Sequence, residues 1–432
     1  MKKTFDPAII WSDWRMLCET IGERRAGTTE EAHAAGFIAH RFRDAGIENV
    51  GVELFPCLSL RAAKAEVHER RGRAWRRVDA RPLVGAPATP GGRAVTGPLV
   101  WLEMPEGARI LRPGSLRGKI LALFGPLPTS LPLHRKLLAA APLAVIHVDD
   151  RLPFAWVKND GVYPYWAREH GMLPTLTVPY LEAWRWRRDG VREIKVRVAV
   201  DLREAASQNV VAEITGTAPD LPAVVLSAHH DTQCNNPGAD DNASGVVCLL
   251  ALARTLATAR PRRRRTIRLI SFGTEEQLSV GSAAYVRRHR VTPRDVGLVI
   301  NFDSVSSPLG HVALSVAGAP ALARFSTGKL AAGGLDVAVQ PEIIPFSDQF
   351  PFNRAGVPSL WFMRGNFPGG RWQHHSVHDT LENVSLAEVQ RLLRAVHPLI
   401  VDLAGRRAWP FAVQMPAELQ AQARRLGREL YG

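Results

Sequence analysis

Beyond residue 200 the chain keeps repeating one unit: a short apolar run, a polar loop, then a longer apolar stretch with helical spacing. Residues 210–214, 223–228, 266–272 and 297–302 read as strands, 281–289 as a helix and 244–257 as a buried helix. Parallel strands need a crossover long enough for a helix, so this alternation predicts an α/β fold with a mostly parallel sheet flanked by helices. In such a sheet, functional residues gather at the carboxyl ends of strands. Near the end, Ser385-Leu386-Ala387-Glu388 reads as a capping box. It opens a helix with Leu386, Val389, Leu392, Leu393, Val396 and Ile400 on one face and an expected kink at Pro398.

The earlier chain differs. From Trp11 to about Val52 it reads helical, with Ala32, Ala35, Phe37, Ile38, Phe42 and Ile47 near one stripe and an end around Gly46. Residues 61–200 are β-rich, with short strands at 98–102, 119–124, 143–148 and 175–178 set between turns such as Arg112-Pro113-Gly114. The expected division is one domain from 1–60 and 201–410, an inserted β-rich domain at 61–200, and a helical extension at 411–432.

Charge narrows the partners. The 432 residues include 55 Lys and Arg against 41 Asp and Glu, a net of +14, which raises polyanions as partners. Only eight of the cations are lysines, so the excess reads as arginine usage. The run Arg260-Pro261-Arg262-Arg263-Arg264-Arg265 reads as solvated cations at a helix C-terminus. No zinc finger, aromatic RNA-binding motif or base-reading helix accompanies the charge, so nucleic acid is not expected as a partner. No apolar run approaches the ~18–20 residues that span a bilayer, so no membrane is expected either. Trp11, Ser12, Asp13, Trp14 and Arg15 interrupt any signal-peptide core. Cys18, Cys57, Cys234 and Cys248 form no C-x-x-C and no disulfide framework, which fits a reducing cytoplasm. Cys248 reads as core, and Cys234 as edging a pocket.

Five stretches place acids and imidazoles at the ends of successive strands. They are Ser227-Ala228-His229-His230-Asp231, Pro237-Gly238-Ala239-Asp240-Asp241-Asn242-Ala243-Ser244-Gly245, Ser271-Phe272-Gly273-Thr274-Glu275-Glu276, Asn301-Phe302-Asp303 and His374-His375-Ser376-Val377-His378-Asp379. Each alone has a plain explanation, since Asp and Asn cap helices and acids suit solvated turns. A His one residue from an Asp can offer one nitrogen to a metal and the other to the carboxylate. Adjacent carboxylates such as Glu275 and Glu276 repel unless a cation is present, and one can then act as general base on water.

Taken in order, these motifs resemble the co-catalytic di-zinc aminopeptidase family, whose relatives include glutamate carboxypeptidase and glutaminyl cyclase. The resemblance covers about residues 209–384, with weaker agreement around Arg25-Ala26-Gly27. It implies a zinc-exopeptidase fold and two zinc ions per chain. One ion would be held by His229 and Asp303, the other by Glu276 and His375, with Asp241 bridging and Asp240 a neighbour. It further implies that Asp231 orients His229 and that Glu275 is the general base for a water between the metals. His375 is taken rather than His374 because it stands four residues before Asp379.

The substrate would be a peptide cut at its N-terminal residue. Ser347-Asp348-Gln349-x-x-Phe352 resembles a pocket-lining stretch of the family, which brings in Asp348 as a substrate-binding candidate, and Phe352 reads equally as core. Some family members carry a Tyr before the last His to stabilise the oxyanion. Here that place is His374, so His374 or Arg364 is expected to supply the donor. Segments 116–123 and 136–146 resemble a protease-associated domain. The alternatives are a carboxypeptidase or dipeptidase, a glutaminyl cyclase, or a non-catalytic binding protein on the same fold.

Overall fold

Local sequence sets the N-terminal frame. Pro7 opens the first turn and the Asp6 carboxylate accepts from Ala8 N–H, which starts α1 (Pro7–Arg15). A π-helical turn, Met16–Ile21, ends at Gly22 with φ 83°, a conformation that glycine adopts without strain. Thr28 then caps α2 (Thr29–Asp44) by accepting from Glu31 N–H. The segment expected to be helical, with an end around Gly46, is therefore two α-helices with a π-helical turn between them, followed by a strand from Asn49. Ala34, Ala35, Ile38, Ala39 and Phe42 form the buried face of α2, whereas Ala32, expected on that stripe, is exposed.

The computed structural model describes residues 5–103, 110–125, 130–149, 154–158, 160–258, 263–366 and 371–432. The chain divides into two compact units. The first comprises Met1–Leu58, Glu204–Phe367 and Val377–Gly427, the second Ser59–Arg203, Pro368–Ser376 and Arg428–Gly432. Two long strands, β1 (Asn49–Arg71) and β8 (Glu193–Ile214), run through the junctions.

In the second unit, β1 pairs antiparallel with β2 (Ala74–Val78). There follow β3 (Arg81–Pro82), β4 (Val95–Glu103), β5 (Ile120–Phe124), α3 (Leu131–Ala140), β6 (Ala144–Val148), α4 (Pro164–Glu169), β7 (Thr175–Thr177) and α5 (Tyr180–Asp189). Strands β4, β5, β6 and β7 are parallel, with β8 antiparallel beside β4. Ile120, Ile146, Leu176, Trp186, Ile194 and Val196 belong to the core. The segment expected to be β-rich is thus α/β. Its helices α3 and α4 carry Pro in the first turn, a place helices tolerate but which reads as a turn in sequence.

The first unit holds β9 (Ala223–His229), α6 (Ser244–Thr258), β10 (Ile267–Phe272), α7 (Val280–His289), β11 (Val296–Phe302), β12 (His311–Ala317), α8 (Pro320–Ala332), β13 (Ala338–Gln340), α9 (Gln349–Arg354), β14 (Ser359–Gly365) and α10 (Leu386–Gly405). The last helix is α11 (Ala417–Leu430). Strand order is β13-β12-β14-β11-β9-β10-β8. Neighbours from β14 to β10 are parallel, while β12 runs antiparallel to β14 and β8 to β10. Every residue of β9 and β11 is buried, as expected of strands covered on both faces. Residues Ser244–Ala253 of α6 are likewise buried, and each Leu or Val there contributes about 1.5–3 kcal/mol.

Two local expectations change, the capping box and the solvated arginine run. Ser385 accepts from Glu388 N–H, but Glu388 turns its carboxylate to Arg364 at 3.1 Å and Arg391 at 3.4 Å, and Ser385 N–H donates to Ser306 O. The capping box is therefore half made. α10 continues through Pro398 to Gly405. Arg260, Pro261 and Arg262 lie outside the described residues. Arg265 is buried rather than solvated, donating to Pro222 O and Arg407 O and lying 4.0 Å from the Trp409 ring centroid. Carbonyls and an aromatic face replace the water it gives up. No described helix is long and apolar enough to cross a membrane.

Candidate metal centre

Register brings three strand ends together. His229, the last residue of β9, lies beside Phe272 of β10, and Ser227 lies beside Asn301 of β11. The residues that follow each strand therefore emerge at one level, His229 from β9, Glu275 after β10 and Asp303 after β11. Ser227 Oγ donates to Asn301 Oδ1 at 2.7 Å, locking β9 to β11 below the site.

His229 is the hub. Its Nε2 lies 3.2 Å from Asp241 Oδ1, 3.7 Å from Asp303 Oδ1 and 3.9 Å from Glu275 Oε2. That nitrogen is buried and has no hydrogen-bond partner among the described residues. His229, Asp241 and Asp303 can offer their ligand atoms to one ion, all lying within 4.8 Å of one another. Nδ1, on the other side of the ring, faces Asp231, 3.5 Å from Oδ1 and 3.3 Å from the backbone O. A tautomer with Nδ1 protonated leaves the Nε2 lone pair aimed among carboxylates.

The adjacent acids Asp240 and Asp241 divide their work. The Asp240 carboxylate accepts from Ser306 N–H at 2.9 Å and Ser306 Oγ at 2.6 Å, so it ties the loop down. Asp379 accepts from both backbone N–H groups, Asp240 at 2.6 Å and Asp241 at 3.0 Å. Trp14 Nε1 on α1 donates to Ala239 O, and Gly238 at φ 57° leaves no room for a Cβ, which would sit 2.3 Å from Asp241 O. Asn242 closes the loop by accepting from Gly245 N–H and donating to Phe302 O. Asp241 is thereby presented at the start of α6.

Asp231 has a second role besides His229. Its carboxylate accepts from Glu275 N–H at 2.9 Å and Glu276 N–H at 3.1 Å, which fixes the loop after β10. Ser279 Oγ donates to Glu275 Oε1 at 3.1 Å, leaving Oε2 toward His229. Glu276 is half-buried and accepts from Gln233 N–H. Asp303 accepts from Ser347 Oγ at 2.6 Å and Ser304 Oγ at 3.1 Å.

The charges do not balance without a cation. Asp231, Asp241, Glu275, Asp303 and Asp348 are all buried around one imidazole. Burial pushes the Glu275 carboxyl well above its ordinary range, His229 opposes this, and the carboxylates Asp348, Asp303 and Glu276 add to it. Asp348 is raised to about 7 by burial first, with His229 and the Ser282 hydroxyl working the other way. Burial works against charge on His229, yet its contacts with Asp231, Asp241 and Asp303 hold its pKa well above the usual imidazole value. Such a pocket is costly as bare carboxylates and suits divalent ions bound by neutral His and oxygen donors.

Of the residues expected from sequence, His229, Asp231, Asp241, Glu275 and Asp303 come together, with Glu276 next on the same loop. Asp348 is fully buried behind them. His374 and His375 belong to the second unit, where their rings stack at 3.6 Å between centroids and Arg371 Nη2 lies 2.8 Å from His374 Nδ1. Arg364, expected as an oxyanion donor, holds Ser307 O and Glu388 instead. Phe352 is core beside Phe272 and Tyr285, and Cys248 is core in α6.

Sequence reading missed Arg24. Fully buried, it donates to the carbonyls of Leu17, Gly22, His230, Pro237 and Gly238, bracing the loop between His229 and Asp241. Glu31 was missed too. It accepts from Ser207 Oγ and Gly27 N–H, with Thr274 Oγ1 at 3.5 Å, and burial raises its pKa to about 8. The agreement noted near Arg25-Ala26-Gly27 was the available signal.

Residues 209–400 match the family model described as Peptidase family M28. Carboxypeptidase Q of Xenopus laevis is 27% identical over 225 residues, 48% of this chain and 45% of that protein. The chain spans less than half the length of the curated relatives it matches. The aminopeptidase from Aneurinibacillus sp. strain AM-1 superposes with a TM-score of 0.73 at 20% identity, covering 96% of this chain and 97% of that one. The zinc aminopeptidase BSAP of Bacillus subtilis gives 0.73 at 21% identity, covering 96% and 99%. These two structures share the fold.

Proposed function

We propose that the chain, whose residues 209–400 match the model of peptidase family M28, is a di-zinc exopeptidase of that family that removes N-terminal residues from peptides. The observation that carries the reading is the buried His229 Nε2, without a hydrogen-bond partner among the described residues and facing Asp241, Asp303 and Glu275 at 3.2–3.9 Å. His229 and Asp303 would hold one ion, Glu276 and His375 the other, and Asp241 would bridge. Bound zinc would polarise the scissile carbonyl and lower the pKa of the attacking water toward ~7.

The chain's own residues do the rest. Asp231 keeps the Nδ1 proton on His229 and, through Glu275 N–H and Glu276 N–H, holds both acids in place. Glu275 Oε2 takes the proton of the attacking water and delivers it to the departing amine. Ser279 on Oε1 keeps that carboxylate from rotating away. The buried setting excludes bulk water from the carboxylates and strengthens each interaction. The cytoplasm is the proposed location, supported by four thiols outside any disulfide.

Hydrolysis of a free aminoacyl anilide and its N-acetylated twin, before and after chelation, tests the reading. Cleavage of the free substrate alone, lost on chelation and restored by zinc, is expected. Equal cleavage of the blocked twin would sink the aminopeptidase assignment.

A further inference from the structure

The +14 charge is concentrated. Residues 59–203 hold 25 Lys and Arg against 13 Asp and Glu, a net of +12, so the rest of the chain is near balance. Within the second unit much of it collects on one sheet face. Lys64, Glu66, His68 and Arg70 alternate along β1 with the buried Val67 and Glu69, and therefore share a face. Register sets Arg77 of β2 opposite His68 and Trp75 opposite Arg70. β8 adds Lys195, whose Nζ lies 4.7 Å from the Trp75 ring centroid, and Arg197, 3.9 Å from Glu66.

The two faces are treated differently. On the inner face, Val67, Val78, Ile194 and Val196 are core, and Glu69 and Glu182 neutralise Arg76 and Arg185. Among the described residues of β1 (64–70), β2 and β8 (193–197), the outer face holds five cations, Lys64, Arg70, Arg77, Lys195 and Arg197, against two carboxylates, Glu66 and Glu193. His68 registers this field: burial lowers its pKa, Lys195 and Arg77 lower it further, and Glu66 opposes them.

We propose that this face is an exosite for acidic peptides, holding the acidic stretch of a long substrate in extended form. The proposal rests on the peptidase reading. Same-face side chains of a strand recur at the spacing with which alternate side chains of an extended peptide return, so carboxylates can meet cations in series. Single exposed ion pairs contribute little, so the face discriminates only peptides bearing several carboxylates. Nucleic acid fits less well. The Trp75 ring is engaged by Arg70 at 5.1 Å and Lys195 at 4.7 Å, and braces cations instead of offering a bare stacking surface.

The test uses the zinc-loaded full chain and a labelled, N-acetylated oligoglutamate, which is not a substrate. Wild type should bind it with an affinity that falls as salt rises, and the triple variant Arg70→Glu, Arg77→Glu, Lys195→Glu should bind at least about tenfold more weakly. Both proteins should cleave a short aminoacyl anilide equally, which also shows that the variant is folded. A milder pair, Arg77→Gln with Lys195→Gln, should fall between them. Equal oligoglutamate affinity in all three proteins, or tighter wild-type binding of single-stranded DNA than of oligoglutamate, would overturn the exosite. Failure to cleave any anilide would instead overturn the peptidase reading, independently of the binding result.

Discussion

Glu275→Gln should lower kcat by about three orders of magnitude while leaving the zinc content unchanged, within the ~10²–10⁴-fold that a positioned general base contributes. The carboxylate is well placed for that work. Its N–H is held by Asp231 and its Oε1 by Ser279, so Oε2 alone faces the His229 cluster. Gln keeps the shape and a polar atom at Oε1 but cannot accept a proton. KM for a short anilide should therefore change little, and the loss should appear in kcat. Loss of zinc together with activity would mean that Glu275 is a ligand instead.

Asp241→Ala should have the larger structural signature. Its loop is fixed by Asp379 on two N–H groups and by Asn242 on Gly245 N–H and Phe302 O. These contacts are made by backbone and by other side chains, so the variant should fold. What it loses is the carboxylate 3.2 Å from His229 Nε2 that would join the two ions. Turnover should fall below detection, and bound zinc below two per chain. Wild type at zinc a hundredfold above Kd gains about 2.7 kcal/mol from binding. That gain should largely disappear in the variant, read as the difference in thermal midpoint with and without zinc. An unchanged zinc-dependent rise would show that Asp241 does not bind the metal.

The central strands and the acids at their ends were legible in the sequence for one physical reason. Strands β9 and β11 are buried along their length and, like β10 apart from Arg268, read as mainly apolar runs, and parallel register then brings their ends to one level. Hence His229, Glu275 and Asp303 could be placed before any coordinates. What was hidden depends on contacts distant in sequence. Arg24 is one arginine among 47, and its bracing of the site loop shows only through carbonyls more than two hundred residues later, at His230, Pro237 and Gly238. Asp240 and Asp241 look alike in a string, and only Ser306 separates the anchored acid from the presented one. Arg265 looked solvated because its partners, Arg407 and Trp409, come from the far end of the chain. Helices α3 and α4 were hidden by proline at their first turns and by the short apolar strands around them.

The proposed activity depends on a site for two cooperating zinc ions built on His229 and Asp241. Its most direct test is titration of the chelated protein with zinc while hydrolysis of a free aminoacyl anilide is followed. Activity should rise to a plateau at two equivalents per chain and remain absent in Asp241→Ala. A plateau at one equivalent, or full activity in the chelated protein before any zinc is added, would contradict it.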